Sequence, residues 1–236
     1  PAARKAAAHG HLEPWRTEPE IGLARQEQLA RYLAMAPDRA HGIYPFKGIR
    51  LSRADVEWLL AAHETGRAPR THRKEHQELW RLDLRGADLH ALPLARLRGS
   101  LTHQEWDSAT GEQRAAAAIL LMGADLSEAH LEEAELIGTS LEKVSLHEAH
   151  LEKADLARTR LQEADLSEAH LEKADLSEVY LRDATLRWSH LEHAYLGSAH
   201  LEKADLKRRC WSECSTEQKR LPSRRTFRSL FNSLSR

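Results

Sequence analysis

The sequence predicts a mainly β solenoid, with the chain turning a corner after every fifth residue and helical segments at its start and within it. Three observations predict this. A leucine recurs at every fifth position from Leu126 to Leu206 without a miss. The residue two places before each leucine is small throughout, from Ala124 to Ala204. The octet AHLEKADL is copied at Ala149, Ala169 and Ala199, at offsets of 20 and 30 residues that are both multiples of five.

Strand geometry gives the period its meaning. In an extended chain residues i and i−2 point the same way, so each leucine and the small residue before it face one interior. A straight strand would continue to alternate, and a helix would space its apolar residues by three and four. A strict five requires a corner in every unit. Large and small inward residues then alternate around a narrow core, and each coil pairs through its backbone with the coil below.

Ahead of the solenoid, residues 1–79 read as a helical head. Leu29, Tyr32, Leu33 and Ala36 follow the spacing of one buried helix face, and Pro37 ends that run. A second helix is marked by Ser52 and Asp55 as a capping box, by Val56, Leu59, Leu60 and His63 on one face, and by Gly66 and Pro69 as a stop. His63 is read as a packing residue.

Period five starts at RLDLRGADLHALPL, with Leu84, Leu89 and Leu94 as its markers, and the solenoid is expected over residues 80–206. The 32 residues from Leu94 to Leu126 are not a multiple of five. Thr102 and Thr110 carry helix-start signals there, and Gly123 carries a stop. A helical insertion is therefore expected over residues 98–122.

The units ADLSEAHLEEAEL and ADLSEAHLEKADL closely resemble the A-(D/N)-L-x-x motif of pentapeptide-repeat proteins. The resemblance implies a right-handed quadrilateral β-helix with four pentapeptides per coil. Every twentieth residue then returns to the same side. His130, His150, His170 and His190 stack in one file, with Glu132, Glu152, Glu172 and Glu192 beside them. Imidazole is a common metal ligand, but a straight line of parallel histidines does not converge on one ion, so no metal is expected. Neither HEAH at 147–150 nor Cys210 with Cys214 supplies a recognisable zinc spacing.

Charge separates the chain more sharply. The overall net charge of −1 divides into +3 over residues 1–123, −11 over 124–206 and +7 over 207–236. Across the four sides the −11 is shared as −3, −5, −3 and 0. The most acidic side holds Asp125, Glu128, Glu148, Asp165 and Glu168, the expected partner-binding face, while the neutral one bears Arg160, Tyr180, Arg182 and His200. Four coils make a rod of roughly 20 Å, or about one negative charge per 2 Å, against one per about 1.7 Å for duplex DNA. Some pentapeptide-repeat proteins mimic DNA and bind DNA gyrase in its place, and the resemblance extends that expectation here.

The basic tail, residues 207–236, sets Phe227, Leu230, Phe231 and Leu234 at helical spacing. These residues suit a homodimer contact or a cap on the last coil, as solenoid ends require. Two cysteines among 236 residues, no secretory pattern in the opening residues and no apolar run of spanning length point to the cytoplasm. No phosphate-binding glycine loop, nucleophile elbow or converging acid-base set is present, so neither an enzyme nor a cofactor is expected. The leading expectation is a binding scaffold that offers a rigid acidic β-helix to a protein partner. A DNA-mimic regulator of a type II topoisomerase is the alternative, followed by nucleic-acid attachment through the tail.

Overall fold

Twenty residues bring the chain back to the same side. In the computed structural model, which describes residues 21–38, 40–64 and 82–206, parallel bridges join Asp125, Ser145, Asp165, Thr185 and Asp205 in one file and His130, His150, His170 and His190 in another. Four pentapeptides therefore make one coil. The sides are named below by their leucines: the Leu121, Leu126, Leu131 and Leu136 sides, in chain order.

All of these bridges are isolated single residues, and among the described residues none extends into a strand. The β-helix expected from the sequence is thus held by a ladder of point contacts, without extended strands among the described residues. The cause lies in the corners. The residue two past each leucine takes a left-handed backbone, as at Glu128 (φ 57°), Lys143 (58°), Arg158 (58°) and Trp188 (65°). A positive φ at the third residue of a turn closed by bonds such as Ala149 N–H to the Leu146 carbonyl, 3.1 Å, is type II geometry. That conformation costs an L-residue about 1–2 kcal/mol. Backbone bonds between coils, such as Glu148 N–H to the Ser167 carbonyl at 3.0 Å, offset it.

Leucines and small residues fill the interior as the alternation requires, and one continuous apolar core runs from Leu29 to Ala204. Thr139, Thr159 and Ser189 are buried at small inward positions. Their hydroxyls donate to the carbonyls of Leu136, Leu156 and Leu186 at 2.7, 2.6 and 2.9 Å. Each buried donor is thereby satisfied, which makes a hydroxyl admissible in this core.

At the N-terminal end, α1 (Leu23–Leu33) and α2 (Arg53–Glu64) close the core. Helix α1 stops at Leu33, and Ala36, expected on its buried face, lies beyond it and is exposed. The residue before a proline disfavours helical backbone, which ends the run early. In α2 the capping box is in place: Asp55 N–H donates to Ser52 Oγ at 3.1 Å and Ser52 N–H donates to Asp55 Oδ2 at 2.9 Å. Val56, Leu59 and Leu60 are buried beneath it, whereas the side chain of His63 lies outside what is described. Arg25 of α1 clamps Asp55 with two donors at 3.0 and 2.8 Å. Burial alone would raise the Asp55 carboxyl, but the bonds from Arg25 and Ser52 outweigh it and hold the group below its usual range.

Between these helices the chain already follows the coil. Leu51 N–H donates to the Asp88 carbonyl at 3.1 Å and Gly48 N–H to the Gly86 carbonyl at 2.7 Å, so Phe46 and Leu51 take two leucine positions above Leu84 and Leu89. The helical head read over residues 1–79 therefore includes two leucine positions of the solenoid, on adjoining sides.

The insertion is shorter than expected from the sequence. It leaves the coil after Gly99 and rejoins at Ile119, whose N–H donates to the Gly99 carbonyl at 2.9 Å. Leu121 and Gly123 already belong to the next coil, a correction to the 98–122 span. Across this break the contact spacing widens from 20 residues, as in Lys153 to Glu133, to 37, as in Arg96 to Glu133. The excursion carries α3 (His103–Ser108) and α4 (Gly111–Ala117), opened by capping boxes at Thr102 and Thr110.

Candidate functional site: four sides of unequal charge

The insertion folds back on the Leu136 side. Trp106 packs over Gly138, and Ser100 Oγ donates to the Ile137 carbonyl at 2.7 Å. Ile137 and Ala157 stand at outward positions, yet both are buried beneath it. Charged contacts hold the edges: Arg98 to Glu105 at 2.6 Å, Arg158 to Asp107 at 3.8 Å, and His103 to Asp155 at 3.7 Å. Desolvation and the neighbouring Asp175 carboxylate raise the Asp155 pKa, against the Ala157 N–H and His103, which lower it. The sequence reading missed this docking. An isoleucine, a glycine and an alanine where the other units place polar residues were the available signal.

On the Leu121 side, charges cancel between coils. Arg160 meets Glu142 at 3.1 Å and Lys143 meets Glu163 at 3.5 Å. Tyr180 and His200 stack with ring centroids 4.6 Å apart.

The Leu131 side carries the histidine file as expected. Its rings stack at 4.6, 4.9 and 4.7 Å, within 4° of parallel. Each Nδ1 faces the glutamate two residues on, at 3.0 Å for His130 with Glu132, 3.4 Å for His150 with Glu152, 3.3 Å for His170 with Glu172 and 3.9 Å for His190 with Glu192. At its corner, Glu133 is held between Arg96 and Lys153 at 3.0 and 3.2 Å.

The Leu126 side differs from the other three. Asp125 and Asp165 lie in one file of bridges, and Glu128, Glu148 and Glu168 follow one another at the adjoining corners. The five acidic residues picked out from the sequence therefore share one side. Asp125 and Asp165 each turn one carboxylate oxygen back to accept the N–H of Ser127 or Ser167 at 3.0 Å, leaving the other free. Glu148 has His147 at 3.0 Å. Among the described residues no cation lies within 4.0 Å of Asp125, Glu128, Asp165 or Glu168. Arg187 and Trp188 close the file at the last coil, with Arg187 paired to Asp205 at 2.6 Å. Phe227, Leu230, Phe231 and Leu234 lie outside the described residues. Among those described, no helix is long and apolar enough to cross a membrane.

A family model described as pentapeptide repeats matches residues 120–158 and 159–197, eight copies in all. No curated protein matches the chain. Among solved structures, a pentapeptide repeat protein from the Arabidopsis thaliana thylakoid lumen is 26% identical, over 39% of this chain and 62% of that one, with a TM-score of 0.30. HetL of Nostoc sp. strain PCC 7120, a pentapeptide repeat protein involved in heterocyst differentiation regulation, is 32% identical over 53% of this chain and 51% of its own, with a TM-score of 0.27. The chain thus spans less than two thirds of either protein. QnrB1, a plasmid-mediated fluoroquinolone resistance protein, is 14% identical over 65% of this chain and 83% of its own, at a TM-score of 0.21.

Proposed function

With residues 120–197 identified as pentapeptide repeats, we propose that the chain is a non-enzymatic scaffold that docks a basic protein surface on its Leu126 side. One observation carries this reading. The Leu121 and Leu136 sides bind most of their charge in ion pairs, and the Leu131 side sets a histidine beside each of Glu132, Glu152, Glu172 and Glu192 and two cations at Glu133, whereas Asp125, Glu128, Asp165 and Glu168 have no cation within ion-pair distance among the described residues. Unpaired charge on one rigid face gives a directional field, which steers a complementary partner and speeds its encounter. Rigidity adds to this, because a face set by backbone bonds between coils loses little side-chain and loop freedom on binding.

A second reading, mimicry of DNA towards a type II topoisomerase such as DNA gyrase, rests on the charge density of the rod. The distribution favours the first reading, since the largest share of the negative charge, −5 of −11, lies on one side and the insertion covers another. The quadruple variant D125K/E128K/D165K/E168K tests both. Lysine already stands at the corners equivalent to Glu128 and Glu168, at Lys143, Lys153, Lys173 and Lys203, and Arg160 stands at the bridge position equivalent to Asp125 and Asp165, so the coil tolerates a cation at both. Proteins retained by the immobilised parent and lost by the variant, with retention falling as salt rises, support the scaffold reading. Retention unchanged in the variant refutes it. Inhibition of gyrase supercoiling by the parent alone would move the assignment to mimicry.

A further inference from the structure

The histidine file was set aside as a metal site because parallel imidazoles do not converge. The structure adds a second file that changes the geometry. Glu132, Glu152, Glu172 and Glu192 fold back against the histidines, and Glu132, Glu152 and Glu172 each keep one oxygen, Oε2, buried with no hydrogen-bond partner. A carboxylate oxygen shut away from water without a donor is unfavourable unless another group satisfies it. The defect recurs in three successive coils, so it belongs to the ladder and not to one misplaced side chain. His130, Glu132 and His150 form one three-residue group, Glu152, His170 and Glu172 a second, and Glu172, His190 and Glu192 a third. Within each, one ligand atom per residue lies inside 4.8 Å of the others.

We propose that this ladder binds divalent cations of the zinc class, each held by imidazole and carboxylate groups from successive coils. Mixed nitrogen and oxygen donors suit zinc, nickel or copper better than magnesium or calcium, which favour all-oxygen cages. Zinc bonds of about 2.0–2.2 Å place donors closer together than they stand here. The side chains can close that gap: every one of these histidines and glutamates is at least 30% exposed, and only the single Oε2 atoms are shut off. Glu172 belongs to two groups, so the ladder has room for two ions that share no ligand. Bound metal competes with protons for the imidazole nitrogens, so affinity falls in acid.

The test uses the full chain without an affinity tag, stripped with a chelator, dialysed against zinc chloride and analysed for bound metal. Up to two zinc equivalents are expected. E152Q/E172Q should weaken retention roughly tenfold or more and remove at least one equivalent. H130N/H150N/H170N/H190N should abolish it, and H200A, on the Leu121 side, should leave it unchanged. Circular dichroism confirms that each variant keeps its coils. Cobalt(II) bound to the unaltered chain provides a readout independent of any substitution, through visible bands of nitrogen and oxygen ligation. No zinc retained by the parent, or retention unchanged in the glutamine or the asparagine variant, overturns the proposal. This outcome is separate from partner docking, which uses another side of the rod.

Discussion

The indole of Trp106 fills the space beside Gly138: a Cβ built on that glycine would lie 2.0 Å from the ring's Cη2 atom. Gly138 has φ 64°, but so nearly do Arg158 (58°) and Glu178 (54°), which follow it at the same corner in later coils. Left-handed backbone is therefore not why this residue is glycine. The docked indole is.

From this, G138A should lift α3 from the Leu136 side while leaving the coils formed. The cost of overpacking is about 1–3 kcal/mol. Hydrogen exchange should accelerate at residues 103–117 and at the newly exposed Ile137, with protection unchanged around Leu166. Uniform exchange across both regions would refute the assignment.

The alternation of large and small inward residues predicts a sharp size limit. Val144 and Val179 occupy the same inward position as Ala169, and all three are buried. A169V should cost no more than about 1.5 kcal/mol, whereas A169L, which sets a second large side chain into a layer built for one, should cost about 3 kcal/mol or prevent folding. Urea melts of the two variants decide this, and equal midpoints would contradict the packing scheme.

Asp55 caps α2 and receives the Arg25 clamp, so D55A removes both interactions. The expected loss is about 2 kcal/mol, combining an N-terminal capping effect with a broken partly buried pair. Because the folded carboxyl sits below its usual range, its contribution is present above the unfolded value and disappears as pH falls through the folded one. Parent and variant should therefore converge in stability in acid and differ at neutral pH. A constant difference from pH 2 to pH 7 would exclude this linkage.

Asp155 has the opposite sign. Burial and Asp175 raise its folded value, so its contribution is full below the unfolded value and is lost as pH rises through the folded one. D155N keeps an oxygen for the Ala157 N–H, which donates to Oδ1 at 3.0 Å in the parent, and removes the charge. The variant should melt at or above the parent temperature at pH 7, with the advantage gone near pH 3. A lower melting temperature at pH 7 would identify the Asp155 charge as stabilising.

The solenoid was legible because its rule is local. Every leucine from Leu126 to Leu206 repeats one five-residue geometry, so seventeen copies reinforce the same reading. The same locality placed Asp125, Glu128, Glu148, Asp165 and Glu168 on one side. The units at Phe46 and Leu51 are not legible as repeats because an aromatic replaces one leucine and a single leucine sets no period. Docking of Trp106 on Gly138 joins residues far apart in the chain, and no period reports such a contact. The folded-back glutamates were hidden for a related reason: spacing sets the side a residue faces but not which way a flexible carboxylate turns.

Gly99 and Ile119 meet across a single hydrogen bond, so the nineteen residues between them leave and re-enter the coil at one corner. The rod above and below keeps its alignment whatever length of chain is spliced there. Such a corner is an accessory port, where natural divergence or deliberate grafting can exchange one displayed module for another without disturbing the shaft that carries it.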